Sequence, residues 1–468
     1  MRDSPAPPEG TADVGREASR DMNGDTAGRP GPAAGTASGD RSWNVRYDTG
    51  GGDGPSPDVP RAVPSGTGAS RRRGGPRVLT VADEWFPARG GLSSLNRYLC
   101  FALASAGATV DCLVPGYSPD EQADAARGGV HLVAARGVRG MTEREALMRR
   151  PPLPGGAEPD LVIGHGRVTG PAARALVEDH FPRAARVHLV HMAPDDIEWD
   201  KLDHQDDAGL RAEERSRVEL ELARDATAVA PVGPRLREWL RRDLPPGADG
   251  GRARLIRLDP GFDPVDPAPR PVPEGRPLVM VMGRMEDAVL KGVDLAARAF
   301  GHARALHPGV EWELLVRGAP AGQEHAMRGR VLEWIGDRTA NVTVRRYSSD
   351  TAAIQEDLRR ASLMLMPSRV EGYGLVGHEA LVAGTPALIS ERSGLGMLVE
   401  DLLRAGDARG IVVPAQRAEE LDVSMWGHRI AAVMADRAAA FSRAADARRT
   451  LAARHPWAVA VRELLDLL

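Results

Sequence analysis

Two glutamates, Glu371 and Glu379, stand eight positions apart in the segment LMLMPSRVEGYGLVGHEALVAGTPALIS, residues 363–390, with Gly372, Gly374 and Gly377 between them. The apolar LMLM reads as a strand that Pro367 ends. Gly372 and Gly374 permit backbone conformations that other residues resist. A helix is expected from Leu375 to Gly384, a C-terminal glycine. The N–H groups around Gly374, Leu375 and Val376 then lack helical partners and lie at the positive end of the helix dipole, an arrangement that favours an anion such as phosphate. Glu371 falls on the loop before the helix and Glu379 about one turn inside it. One carboxylate on either side of an anion site can accept hydrogen bonds from hydroxyls on either side of it, and ribose, diphosphate and hexose follow one another in that order in a nucleotide sugar. Taken alone, two glutamates at this spacing arise by chance, and an acidic residue early in a helix commonly just offsets the dipole.

A second group lies in VMGRMEDAVLKG, residues 281–292. Arg284 and Lys291 are cations at the carboxyl end of a strand, where they can stabilise negative charge growing on a departing diphosphate without a metal. Lys291 stands out because the chain has only one other lysine, Lys201. The segment VADEWFPARGGLSSL, residues 81–95, is a strand, a turn with Gly90 and Gly91, and a helix. The glycines allow a close approach of backbone to ligand, or simply a turn. No G-x-G-x-x-G fingerprint occurs at this turn, which excludes a Rossmann dehydrogenase reading. His165 and His191 both end strands, and His191 is the better candidate for a polar contact to substrate. His378, beside Glu379, reads as packing or solvent-facing. There is no nucleophile elbow, and the acid- and His-rich stretch 191–207 suits no common metal site.

These groups need a scaffold. Apolar content is 42%, charged content 27% and net charge −4 over 468 residues, which fits a folded protein of two or three domains and argues against a dedicated nucleic-acid binder. No apolar run reaches the roughly 20 residues that span a bilayer, and the N-terminus lacks an apolar signal core, so a cytoplasmic protein is expected. Cys100 and Cys112 are the only cysteines, too few for a disulfide framework. Residues 1–75 are rich in Gly, Pro, Ala and Ser without apolar periodicity and read as a disordered extension. From Arg77 onward, short strands without alternation are separated by helical patterns, the mark of parallel sheets covered on both faces. A proline-dense stretch at 263–277 interrupts the pattern, which then restarts. The expected fold class is α/β, two doubly wound Rossmann-like domains facing across a cleft.

Taken together, GRMEDAVLKG, PSRVEGYGLVGHEALVAGTPALIS and ARGGLSSL resemble the retaining glycosyltransferases of family 4, the group 1 glycosyl transferases with the GT-B fold. The resemblance spans about residues 76–468 and is strongest in 278–400. It implies an N-terminal acceptor domain at 76–268, a C-terminal donor domain at 269–450 and a terminal helix, 451–468, crossing back to the first domain. It implies transfer of a sugar from a UDP- or GDP-sugar to a hydroxyl of a small-molecule, lipid or glycan acceptor, with retention and with no cofactor or divalent metal. Glu371 would contact donor-sugar hydroxyls, Glu379 the ribose, Arg284 and Lys291 the diphosphate with amides near Gly374 and Leu375, Gly91 the phosphate or acceptor, and His191 the donor sugar. The sequence departs from the family pattern in its longer Arg284–Lys291 spacing and in RGAP, residues 317–320, where a glycine-rich turn is usual. Trp85 and Phe86 offer rings on which an acceptor can stack. Asp195, Asp196 and Glu198 offer carboxylates to it, or form a plain solvated loop. A non-catalytic nucleotide-sugar-binding module of the same fold and an epimerase are the alternative functions. Intact charge pairs argue against the module.

Overall fold

The computed structural model describes residues 75–87, 90–194, 208–244, 253–263, 268, 270–416 and 418–468. Residues 1–74, read as a disordered extension, and Asp195, Asp196 and Glu198 lie outside the described residues.

Among the described residues, the first sheet has seven strands, β1 (Arg77–Val81), β2 (Thr109–Val114), β3 (Val130–Ala134), β4 (Leu161–His165), β5 (Ala185–Val190), β6 (Ala228–Pro231) and β7 (Arg254–Leu255), in the order β3-β2-β1-β4-β5-β6-β7. The second has six, β8 (Leu278–Met282), β9 (Glu313–Ala319), β10 (Asn341–Arg346), β11 (Leu363–Met366), β12 (Ala387–Ser390) and β13 (Val412–Val413), in the order β10-β9-β8-β11-β12-β13. Every pairing among the described residues is parallel, for example Val78 with both Val110 and Leu161, and Val281 with both Val316 and Leu365. Strands such as LVIGH and LMLM are buried along their whole length, as sheets sandwiched between helix layers require.

Strand order reverses between β1 and β4 in the first sheet and between β8 and β11 in the second. The crevice beyond the carboxyl ends of strands at such a reversal is where open α/β sheets bind ligands. The loops after β1, β8 and β11 carry the Gly90–Gly91, Arg284–Lys291 and Glu371–Gly374 groups. Five helices matter for the site and its frame: α1 (Gly91–Ser105), α2 (Gly166–Asp179), α3 (Val293–Leu306), α4 (Leu375–Ala383) and α5 (Arg437–Arg454).

Two expectations are corrected. Trp85 has no exposed surface. Its indole N–H donates to Asp124 Oδ2 at 2.9 Å, and its ring meets Phe101 edge-on with centroids 5.6 Å apart. A side chain so placed cannot stack on an acceptor. The chain end is not one helix either. It breaks after α5 at His455-Pro456 and continues as two single turns, Trp457–Ala460 and Arg462–Leu465. Pro456 has no N–H to extend the preceding helix, and Asp263 accepts the N–H of Trp457 instead. The segment lies on the first sheet's side, with the rings of Tyr98 in α1 and Trp457 6.4 Å apart and Glu463 accepting the Arg257 N–H at 2.7 Å.

Candidate functional site

Gly374 takes the left-handed conformation, φ 110°, and caps α4 without a side-chain bond. A Cβ there would fall 2.6 Å from Met366 Cε, so the turn is glycine's by both conformation and space. The first N–H groups of α4 therefore face the cleft without a capping side chain. Across the cleft, α1 also starts at a glycine pair. Gly90 has φ 136°, and a Cβ on Gly91 would stand 2.8 Å from Leu375 Cδ1. Two helix N-termini, one from each sheet, thus meet at Gly91 and Leu375, and both bring partial positive charge to one place.

The cations flank this point. Lys291 Nζ donates to Glu371 Oε2 at 2.6 Å, and Ser368 Oγ donates to the same oxygen at 3.2 Å. The pair is only partly exposed, 25% for Lys291 and 18% for Glu371. Gly292, left-handed at φ 68°, sits so close to Pro367 that a Cβ would lie 2.1 Å from its carbonyl oxygen. That approach is what brings the loops after β8 and β11 together. Arg369 fastens them. Its N–H donates to Leu290 O at 3.0 Å, and its guanidinium makes two 2.7 Å bonds to the Asp294 carboxylate at the start of α3. Planar two-point pairing of this kind fixes orientation as well as distance. Burial alone would raise the Asp294 carboxyl, but Arg369 and Arg298 outweigh it and hold it below its ordinary value. Arg284 is exposed and pairs with no carboxylate among the described residues. The Gly90 Cα lies beside its Nε, 4.0 Å from the place a Cβ would take.

Glu379 keeps part of its surface open to the cleft, yet the cleft walls desolvate its carboxyl and push it up to about 7. It is close enough to Tyr98 and Tyr347 to raise both hydroxyls, after burial has done most of that. Tyr347 also joins the two sheets: its hydroxyl donates to Pro87 O at 2.6 Å.

His191 follows β5, and the backbone of Gly372 rests on its carbonyl, leaving 2.6 Å for a Cβ. Its Nε2 lies 3.0 Å from His165 Nδ1, and His165 Nε2 lies 2.9 Å from Asn96 Oδ1 in α1. Burial, reinforced by His188, lowers the His191 ring to about 3, so it is neutral. His378 faces neither cleft nor solvent. It is buried, 4.5 Å from the Phe262 ring by centroid, with Tyr373 Oη 2.8 Å from its Nδ1.

Glu371, Lys291, Gly90, Gly91, Gly374, Leu375 and His191 are thus drawn to one cleft, with Arg284 at its rim, Val376 in the first turn of α4 and Glu379 a turn deeper. His165 stood out in the sequence only as a strand-end histidine, second to His191; the motifs did not point to Tyr347, Ser368, Arg369 or Asn96. Of these, only Ser368 and Arg369 left a local signal, three and two positions before Glu371 in PSRVEG. Among the described residues no three His, Cys, Asp or Glu side chains gather in a way that would hold a metal ion, and no helix is long and apolar enough to cross a membrane.

Two parallel Rossmann-like sheets with this cleft between them define the GT-B glycosyltransferase fold. A family model described as "Family 4 Glycosyltransferase in conflict systems" matches residues 79–464, and the chain belongs to that family. It is similar to the D-inositol 3-phosphate glycosyltransferase of Nocardia farcinica, 29% identical over 196 residues that cover 42% of this chain and 40% of that one. The Rhodococcus erythropolis protein of the same name is 31% identical over 176 residues, 37% of each chain. The chain therefore spans about two fifths of the length of the curated relatives it matches. Among solved structures, sucrose-phosphate synthase from Thermosynechococcus elongatus superposes with a TM-score of 0.58 at 21% identity, covering 84% of this chain and 98% of that one. Anabaena Alr3699/HepE in complex with UDP-glucose gives 0.56 at 15% identity, with 84% and 100% covered. At these identities the likeness is one of fold.

Proposed function

We propose that this protein is a retaining glycosyltransferase that moves a sugar from a UDP- or GDP-sugar to a hydroxyl acceptor without a metal ion. The observation that carries this reading is the meeting of Lys291, Glu371 and the α4 N-terminus with the Gly91 turn of the opposite sheet. A diphosphate at that meeting point faces two sets of helix N–H groups, Lys291 and Arg284. Such fixed donors act most where negative charge grows, on the departing phosphate oxygen. The phosphate so stabilised stands on the same face as the incoming hydroxyl and accepts its proton, which accounts for retention. Glu371, held by Ser368 and Lys291, presents its other oxygen to sugar hydroxyls. Glu379 accepts from the ribose. Binding of UDP-glucose by the Anabaena neighbour and the glycosyltransferase names of the curated relatives support the donor class. For the acceptor, Phe86, which remains partly exposed, offers a ring edge on the first sheet's side.

The test is donor consumption. Purified full chain, treated with a chelator, is incubated with UDP-glucose or GDP-mannose and a panel of polyol, lipid and glycan acceptors, and the product anomer is read by NMR. Transfer with retention supports the reading. Product of inverted configuration, or a strict requirement for added metal, would overturn it. Conversion of the donor, without acceptor and without release of the nucleotide, into an epimeric nucleotide sugar would make the protein an epimerase.

A further inference from the structure

The imidazole of His191 is held by a partner that selects its tautomer. Asn96 Nδ2 donates to Cys112 Sγ at 3.4 Å, which turns Asn96 Oδ1 toward His165. An amide oxygen only accepts, so His165 carries its proton on Nε2 and donates at 2.9 Å. His165 Nδ1 is then a lone pair, and His191 must donate to it from Nε2 across 3.0 Å. The backbone of His165 is fixed as well. Thr169 in α2 accepts its N–H at 2.9 Å and donates to Val81 O at 2.6 Å. His165 and Asn96 have no exposed surface, and the two rings lie nearly parallel, 25° apart. The remaining nitrogen of His191, Nδ1, has no partner among the described residues and is not sealed in the interior.

We infer that Asn96 and His165 are positioning residues that make His191 Nδ1 an obligate hydrogen-bond acceptor, so that the cleft selects a sugar presenting a donating hydroxyl at that point. A group that only accepts there, a carboxylate or a fluorine, meets lone pair against lone pair. The inference rests on the reading of the cleft as a nucleotide-sugar site. Protonation does not rescue a wrong sugar at neutral pH, because the ring is neutral well below it. A fixed tautomer set by the bond on the other nitrogen is a general device for giving a histidine one role.

Two measurements on the full chain test it. The first reads the tautomer without any ligand, from two-bond proton–nitrogen spectra of protein labelled with ¹⁵N-histidine. Signals are assigned by their loss in His165→Gln and His191→Gln. Both rings are expected as Nε2–H forms that do not titrate between pH 5.5 and 8. An Nδ1–H form of His191, or its protonation in that range, would overturn the inference. The second reads affinity for UDP-glucose and GDP-mannose and for their single deoxyfluoro analogues. One fluorinated position is expected to bind at least about tenfold more weakly, the effect of an unmet buried acceptor. Asn96→Asp, which still accepts from His165, is expected to keep that penalty. Asn96→Leu is expected to lose it and to shift His191 toward Nδ1–H. Equal affinity for all the analogues in the native chain defeats the selection. If neither parent nucleotide sugar binds while the Nε2–H tautomers are observed, the donor reading is what fails, and the sugar selection falls with it.

Discussion

Lys291 Nζ and Glu371 Oε2 lie 2.6 Å apart, although 80 residues separate them in the chain. The loops after β8 and β11 place them at one helix start, so each holds the other ready for a ligand. Lys291→Ala and Glu371→Gln are expected to lower kcat/KM for transfer by about 10²–10³, the usual loss when a preorganised charge partner is removed. Both side chains retain some exposure, so stability is expected to change by only about 1 kcal/mol or less. Steady-state rates with melting curves separate the two effects. A large loss of stability with unchanged activity per folded molecule would show a structural pair instead.

The contact between the two helix starts makes a second expectation. A Cβ on Gly91 stands 2.8 Å from the end of the Leu375 side chain, which a single methyl can push aside but a branched side chain cannot. Gly91→Val is expected to weaken donor binding by about 1–2 kcal/mol through overpacking. Leu375→Ala in the same chain is expected to return most of that. Calorimetric titration of the four proteins gives the coupling directly, and strict additivity would mean that the two residues do not meet.

Glu379 gives a pH dependence. Its carboxyl is raised from 4.5 to about 7 by desolvation, so the folded chain holds its proton more tightly than the unfolded one. The stability this contributes is fully present below pH 4.5 and is lost as pH rises through 7. Glu379→Gln cannot ionise. Relative to this variant, wild type is expected to lose on the order of 2 kcal/mol between pH 4.5 and 8, less than the full shift implies because the group is partly open to water. Denaturant titrations at several pH values measure the difference, and a difference independent of pH would remove the assignment.

The elements were legible because their signals are local. LMLM, Pro367, the glycines and Gly384 spell a strand, a turn and a capped helix within one stretch, and α4 runs from Leu375 to Ala383 as that pattern expects. The histidine relay was not legible, because Asn96, His165 and His191 come from α1, β4 and the end of β5. Only the β1-β4-β5 adjacency brings them together. Trp85 was misread for a related reason. An aromatic residue after a strand looks available for stacking, and nothing nearby shows that Asp124, 39 positions on, takes its N–H.

That Asp124 carboxylate also supports the frame of the cleft. Arg97 in α1 donates to it twice, at 2.6 and 2.7 Å, and the Trp85 indole once. Burial alone would raise its carboxyl, but the Arg97 bonds outweigh this and hold it below its ordinary value. Removing the carboxylate strands a buried guanidinium and a buried indole N–H together. Asp124→Ala is therefore expected to cost about 3–5 kcal/mol of stability, the range for breaking a buried pair from one side. Asp124→Asn keeps an acceptor for Trp85 and is expected to cost less. The loop that Trp85 anchors leads to Pro87, whose carbonyl accepts the Tyr347 hydroxyl from the other sheet. If that chain of contacts sets the approach of the two sheets, the fraction of Asp124→Asn that remains folded binds UDP-glucose more weakly than wild type, and Tyr347→Phe weakens it in the same direction without the loss of stability. Unfolding titrations and binding isotherms on the three variants check both halves. Full donor affinity in Tyr347→Phe would mean that the hydroxyl bond does not position the sheets.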